Sequence, residues 1–414
     1  MVNVCDAIMG QGKTTSAITY INEHSDQKFI FITPYLSEAE RIKEGCPDLN
    51  FVEPSDKIRK YGFRKTEHTK ALIKEGRNIT TTHQAFKRYT ADTLRDIKEK
   101  GYTLFIDENV DVLERFDIHP DDIQMAVDSG YIYEDGGSFH INEDIKYKGI
   151  AFRDLFSFIK NRELVKLTGD DGTSFFYWVF PPELLTSFKD VFILTYLFDG
   201  QSLHHFMEIY DIPYEYIWVH RDSEHGFRFG NTPSEAPEYV HNIKEMITVL
   251  DKPSINSIGD DYFALSKNWF SKDAESITEL KNNIYNCINN IWRDSSADKK
   301  LWGTFNSEYS KLKGLGYSKS FLTFNTKATN AYRDRDKLIY IANIFMNVNE
   351  RLFYESRGVE IDEDKYALSI MVQWIWRSAI RDGEKIELYI PSKRMRNILI
   401  NWMNDISKGG NSCE

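Results

Sequence analysis

Short apolar runs alternate with helix-spaced stretches through the first part of the chain. Residues 2–5 (VNVC) have the pattern of a strand, and residues 15–22 that of a helix. Residues 28–33 (KFIFIT) form a second strand, stopped by Pro34, and residues 37–41 open another helix. A short strand runs into a hydroxyl-rich turn at residues 78–86 (NITTTHQAF), and residues 102–106 (YTLFI) make a compact apolar strand. Strand–helix alternation of this kind predicts a parallel sheet with crossover helices, the α/β class. Residues 115–189 break the rhythm with acidic, glycine-bearing turns and one helix-spaced run at 150–160, and read as an insertion. A further buried strand follows at 191–196.

Residues 226–237, rich in Gly, Pro, Ser and Asn, mark a link between two domains, 1–225 and 226–405, with a frayed tail at 406–414. In the second domain, Ile277, Leu280, Ile284, Ile288 and Ile291 fall near helical spacing across residues 276–292. Residues 321–330 read as a strand entering a polar loop, 337–342 and 387–390 as strands, and a last helix reaches about Met403. Residues 366–381 (YALSIMVQWIWRSAIR) predict an amphipathic helix with Gln373, Arg377 and Arg381 at i, i+4 and i+8 on one face. Ile370, Met371, Trp374 and Ile375 supply its buried face.

At 414 residues the chain exceeds one ordinary core, and 41% hydrophobic with 14% aromatic residues is ample for two. A formal charge of −11 argues against a protein that coats nucleic acid over its whole surface, while leaving room for a local basic cleft. No apolar run approaches the roughly 18 residues of a membrane span, so no membrane association is expected. The four cysteines, Cys5, Cys46, Cys287 and Cys413, form no C-x-x-C pair, which fits a reducing, cytoplasmic setting. The ten histidines offer no set with a carboxylate at metal-ligand spacing and are expected to be structural or surface residues.

The chemistry concentrates in residues 7–14, A-x-x-x-x-G-K-T, with Ala7 where a P-loop has its first glycine. Gly10 and Gly12 let backbone amides turn inward around a polyphosphate, with Gln11 between them. Lys13 is placed to charge-pair with the β- and γ-phosphates, and the Thr14 hydroxyl to ligate Mg²⁺. Thr15 opens the helix whose positive end faces the same anion. This predicts a site for ATP or GTP. Asp107 and Glu108, at the end of the 102–106 strand, supply the acidic pair an NTPase needs: Asp107 for the Mg²⁺ shell, Glu108 to orient or deprotonate water. The row Gln373, Arg377, Arg381 has a plain reading as a solvated face. Beside an incomplete NTP site it reads instead as the source of an arginine supplied from a second domain. Residues 57–70, the most basic stretch, carry Tyr61 and Phe63 and fit either nucleic-acid contact or a solvated loop. Thr80, Thr81, Thr82 and His83 fit either a helix cap or donors to a nucleic-acid backbone.

Taken in order, these pieces resemble a superfamily 2 helicase of the DEAD/DEAH type found in phages and mobile elements. AIMGQGKTT is similar to motif I, FITPYLSEAERI to Ia, NITTTHQAF to Ib and FIDEN to II. ILTYL is similar to motif III, FNTKATNAYRDRD to V and QWIWRSAIR to VI. The resemblance implies two RecA-like domains with parallel sheets, ATP and Mg²⁺ in the cleft between them, and single-stranded or forked DNA, or RNA, across their top. It makes Thr33, Thr81, Thr82 and His83 candidates for strand contact. It leaves open which of Arg377 and Arg381 is the arginine finger. Two other classes fit part of the pattern. A viral DNA-packaging (terminase-like) ATPase would need clustered acidic ligands, for which residues 250–405 offer only 260–261 and 362–364. A nucleotide-binding switch or adaptor would not need the arginines.

Overall fold

In a computed structural model the described residues are all but 35, 63, 150, 162, 170–171, 223–225, 235–237, 272–273, 325–330 and 409–414. The first domain opens with β1 (Val2–Asp6), α1 (Lys13–Glu23), β2 (Lys28–Thr33), α2 (Leu36–Gly45), β3 (Ile79–Thr82) and β4 (Tyr102–Asp107). An excursion then forms its own antiparallel sheet from β5 (Leu113–Arg115), β6 (Ile132–Asp135), β7 (Ser138–Ile141), β8 (Glu163–Thr168) and β9 (Ser174–Val179), in the order β5-β9-β8-β7-β6. The chain returns through β10 (Asp190–Thr195) and β11 (Tyr214–Tyr216). These complete a six-stranded parallel sheet, β11-β1-β10-β4-β2-β3.

Its inner strands are covered on both faces, so they read as unbroken apolar runs rather than alternating ones. Phe29, Ile30, Phe31 and Ile32 of β2 are all fully buried. Ala17 and Ile21 of α1 pack on Phe29, Phe31, Phe105 and Phe192 on one face, while Ile30, Ile32, Leu104 and Ile106 enter the core on the other. The register sets Asp6 opposite Thr195 and Leu194 opposite Asp107, so β1, β10 and β4 end side by side.

The expected link from residue 226 is in part a strand. β12 (Trp218–Asp222) and β13 (Gly226–Gly230) form an antiparallel hairpin. Phe227 and Phe229 alternate onto the α1 side, where Phe229 stacks on Phe192 with centroids 5.7 Å apart and Arg228 pairs with Glu23. Two aromatic anchors at strand spacing outweigh the glycines at either end of β13, so the first domain runs through Gly230.

The second domain holds β14 (Ile247–Val249), β15 (Lys300–Gly303), β16 (Lys337–Tyr340) and β17 (Ile386–Tyr389), all parallel, in the order β14-β17-β16-β15. Leu338, Tyr340 and Leu388 face the helices Glu363–Ile375 and Lys393–Ile406, while Ile339, Ile341 and Tyr389 face the helix Ala274–Asn286 and its π-helical continuation Cys287–Ile291. After β16 come α3 (Val348–Glu355) and α4 (Glu363–Ile375), and after β17 comes α5 (Lys393–Ile406). Two parallel sheets with crossover helices make two RecA-like domains.

The domains exchange side chains. Phe353 and Tyr354 of α3 lie in the core of the first domain, and Tyr196 and Leu197 lie in that of the second. Tyr354 donates to the Ser202 carbonyl (3.1 Å), and Trp402 donates to the Tyr196 hydroxyl (3.1 Å). Among the described residues no helix is long and apolar enough to cross a membrane.

Candidate active site

A cleft of about 250 Å³ lies between the domains where β1, β4 and β10 end. Gly10 and Gly12 take φ of 90° and 92°, a region that L side chains rarely adopt, and Gly12 caps α1 without a side-chain hydrogen bond. The first turn of α1 carries no acidic residue, so its amides and positive end face the cleft unopposed. Lys13 donates to the carbonyls of Ala7 and Ile8 (3.3 Å to the latter). Burial pulls its ammonium below the usual lysine range, opposed by the nearby Asp107, Asp6 and Glu108 carboxylates. Thr14 and Thr15 line the cleft; Gln11, whose amide donates to the Ile8 carbonyl (3.4 Å), does not.

Asp107 is the last residue of β4 and Glu108 the first beyond it. Glu108 has φ 63°, a left-handed conformation costly for a residue with a Cβ, held by its amide donating to the Leu194 carbonyl (3.0 Å). The turn brings both carboxylates to the same cleft. Burial first, then the Glu108 and Glu38 carboxylates, push Asp107 up to about 7, against the pull of Lys13 and Arg41. Crowded carboxylates beside the Thr14 hydroxyl are a hard-oxygen donor set, and a divalent cation would relieve their repulsion, so these residues fit Mg²⁺.

Glu38, Arg41 and Asp6 were not singled out from the sequence, nor were Trp376 and Phe227, which also line the cleft. Glu38 and Arg41 of α2 line the cleft, with Arg41 donating to the Thr15 hydroxyl (3.3 Å) and pairing with Glu38 (3.7 Å). Their i, i+3 charge pairing just after the Pro34 stop was the available signal. Asp6 is buried and accepts from the amides of Leu197 (2.8 Å) and Phe198 (2.9 Å), tying β1 to the turn after β10. Burial pushes its carboxyl up to about 6 in spite of those two hydrogen bonds. No motif marks Asp6, because its partners lie 191 and 192 residues away.

From the second domain, Gln373, Trp376, Arg377 and Arg381 line the same cleft. They do not arrive as one helical face. α4 ends at Ile375, and Arg381 stands in a separate 3₁₀ turn, Ala379–Asp382. Ser378 stops the helix: its backbone is extended, and both its amide (3.1 Å) and its hydroxyl (2.6 Å) donate to the Ile375 carbonyl. The Ala379 amide then turns away to the Arg335 carbonyl (2.9 Å). Arg377 is buried and also lines an adjoining cavity of about 320 Å³, whereas Arg381 is exposed.

The four strand-contact candidates are placed unevenly. Thr33 (0% exposed) and Thr81 (1%) are enclosed in their strands, which corrects their assignment as side chains facing a polymer. Thr82 is half-buried and caps the helix His83–Phe86, accepting from the Ala85 amide at 3.4 Å. His83 (4%) is tied through Nε2 to the Asp107 carbonyl (2.9 Å). In the basic stretch, Lys65–Glu75 is helical and Tyr61 stacks on the buried His68 ring at 4.7 Å. Six of the thirteen residues of the segment similar to motif V, 325–330, lie outside the described residues. Contrary to expectation, His204, His205 and Glu208 gather with ligand atoms within 4.8 Å of one another; Glu208 meets both imidazoles, at 3.4 and 3.2 Å.

A family model described as the YonV C-terminal Rossmann-like domain matches residues 241–403. Among solved structures the chain is similar to S. tokodaii Xpd4, with 12% identity, TM-score 0.50, and coverage of 97% of this chain and 94% of that one. Another, titled XPD_Helicase, has 10% identity, TM-score 0.46, and coverage of 99% and 95%. The Xpd4 likeness spans both domains and is one of fold. The SPbeta prophage-derived uncharacterized protein YonV of Bacillus subtilis (strain 168) is 38% identical over 418 residues, 98% of this chain and 99% of the relative. At that identity over nearly its full length, the chain belongs to the YonV family.

Proposed function

We propose that this protein is an ATP hydrolase that couples hydrolysis to movement on nucleic acid, with strand separation as the outcome, in the replication or recombination of a phage or mobile element. One observation carries the reading. The P-loop and acidic pair of one RecA-like domain and the Gln–Arg–Arg set of the other line a single cleft. Neither half suffices alone. The loop amides and Lys13 hold the phosphates, while the charge that develops on the transferring phosphoryl group needs cations from the far side.

Lys13 exchanges the Ala7 and Ile8 carbonyls for phosphate oxygens, a better match for an ammonium that burial has weakened. Thr14 and Asp107 would hold Mg²⁺, which supplies charge at the β- and γ-phosphate oxygens. Glu108, locked in its left-handed turn, positions the attacking water and accepts its proton. Arg377 approaches the terminal phosphate from the second domain, with Arg381 at the rim and Gln373 beside them. Of the strand candidates, Thr82 keeps an exposed surface. His83 acts one step back, as the tie between that turn and Asp107.

The test is ATP hydrolysis with no polymer and with single-stranded DNA, duplex DNA and RNA, in wild type and Lys13→Ala. Stimulation by one polymer, lost in Lys13→Ala, is expected. Hydrolysis indifferent to every polymer would overturn the motor reading and favour the nucleotide switch.

A further inference from the structure

We propose that Phe227 is the platform on which the base of a purine nucleoside triphosphate stacks, an inference that rests on the nucleotide site proposed above. Phe227 lines the same cleft as Gly10, Gly12, Lys13, Thr14 and Thr15, yet it comes from β13, more than two hundred residues along the chain. Its Cγ, Cδ1 and Cε1 atoms lie 2.5–2.9 Å from where a Cβ on Gly12 would stand. Glycine at that position therefore serves two ends: the φ of 92° and room for the ring.

The direction of a bound triphosphate follows from the sheet. Asp107, Glu108 and the arginines mark the terminal-phosphate end, at the tip of β4. In the order β11-β1-β10-β4, the hairpin that carries Phe227 continues from β11, on the opposite side of β1. A nucleotide with its terminal phosphate at Glu108 thus leads its nucleoside over Gly12 toward Phe227. The ring is held for this task. Phe229, two residues on, stacks on Phe192, and Arg228 pairs with Glu23 on α1. The Arg221 guanidinium lies 5.9 Å from the Phe227 centroid, the arrangement of a cation over an aromatic face. An exposed arginine and an aromatic ring together make a surface for a flat base. Stacking responds to ring area rather than to hydrogen-bonding edges. The platform therefore favours purines over pyrimidines and separates adenine from guanine only slightly.

The experiment is calorimetric titration of the full chain with the Mg²⁺ complexes of ATP, GTP, UTP and base-free tripolyphosphate. It compares wild type, Phe227→Leu and Phe227→Trp. Leucine keeps apolar packing beside Gly12 and removes the aromatic face, so folding is preserved. Wild type should bind ATP and GTP within about threefold of each other and UTP more weakly. Phe227→Leu should lose about tenfold for both purines and leave tripolyphosphate unchanged, and Phe227→Trp should restore the purines. ATP bound as tightly by Phe227→Leu as by wild type would overturn the platform while leaving the phosphate site intact. Tripolyphosphate weakened as much as ATP by that substitution would overturn it too, by making the ring a support of the loop. Wild type that binds none of the four would instead remove the underlying nucleotide site, and the platform with it.

Discussion

The first-domain wall of the cleft is made of strand ends, and the second-domain wall of a helix end followed by a turn. In the first, Asp6, Asp107 and Thr195 are placed by ladder register, Asp6 opposite Thr195 and Asp107 opposite Leu194. In the second, Arg377 and Arg381 are placed by Ser378, which closes α4 on the Ile375 carbonyl and lets the chain turn into the 3₁₀ segment. A sheet edge tolerates little adjustment, because shifting one strand breaks a whole ladder. A helix end can move by changing a few dihedrals. The P-loop wall is thus the fixed part of the site and the arginine wall the adjustable part.

The largest expected effect sharpens that division on the adjustable side. Arg377→Ala should lower kcat for polymer-stimulated ATP hydrolysis by about 10³-fold or more, with Arg381→Ala costing far less. Steady-state kinetics on the two variants decides between them; equal losses would mean that the exposed and the buried arginine act as a unit. On the fixed side, Glu108→Gln should cut kcat by about 10²–10⁴-fold while nucleotide affinity holds. A comparable loss of affinity would show the left-handed turn to be a binding element instead.

Stability offers a third probe, at Asp6. Its folded carboxyl lies near 6 against an ordinary 3.8, so the folded chain holds this proton more tightly than the unfolded chain does. The contribution is full below the unfolded value and is lost as pH rises through about 6, about 3 kcal/mol in all. Denaturant melts between pH 4 and 7 should show Asp6→Asn with a flatter profile than wild type. An unchanged slope would mean that Asp6 stays charged in the fold. The smallest effect is expected for Ser378→Ala, about 1 kcal/mol of stability from one hydrogen bond. It should lower kcat more than it raises KM, because it loosens the arginines and not the P-loop.

The same contrast explains what was legible in the sequence. β2 and β4 were read nearly to the residue, because doubly covered strands write themselves as apolar runs, and Lys13, Thr14, Asp107 and Glu108 lie where such runs stop. The arginine wall was found by residue type but misjudged in geometry. Periodicity carried the helix on through Arg381, since nothing in an i, i+4, i+8 spacing reveals that Ser378 competes for the Ile375 carbonyl. The hairpin 218–230 was hidden because glycines at its ends look like a linker, and its anchors, Phe227 and Phe229, show their value only when α1 lies beneath them. Thr33 and Thr81 were misplaced because strand residues and surface donors share the same hydroxyl. Asp6 left no local trace, as its partners come from the turn after β10.

Tyr354 seated in the first domain and Tyr196 seated in the second bear on how such a machine would move. Swinging the domains apart would strip two aromatic rings from apolar cores at once, so the joint is a ball in a socket rather than a door on a pin. In the cycle proposed above, relative motion would take the form of a short roll about that contact, with the adjustable wall sweeping across the fixed one. Such a stroke would be small, and it would be spent at the arginines.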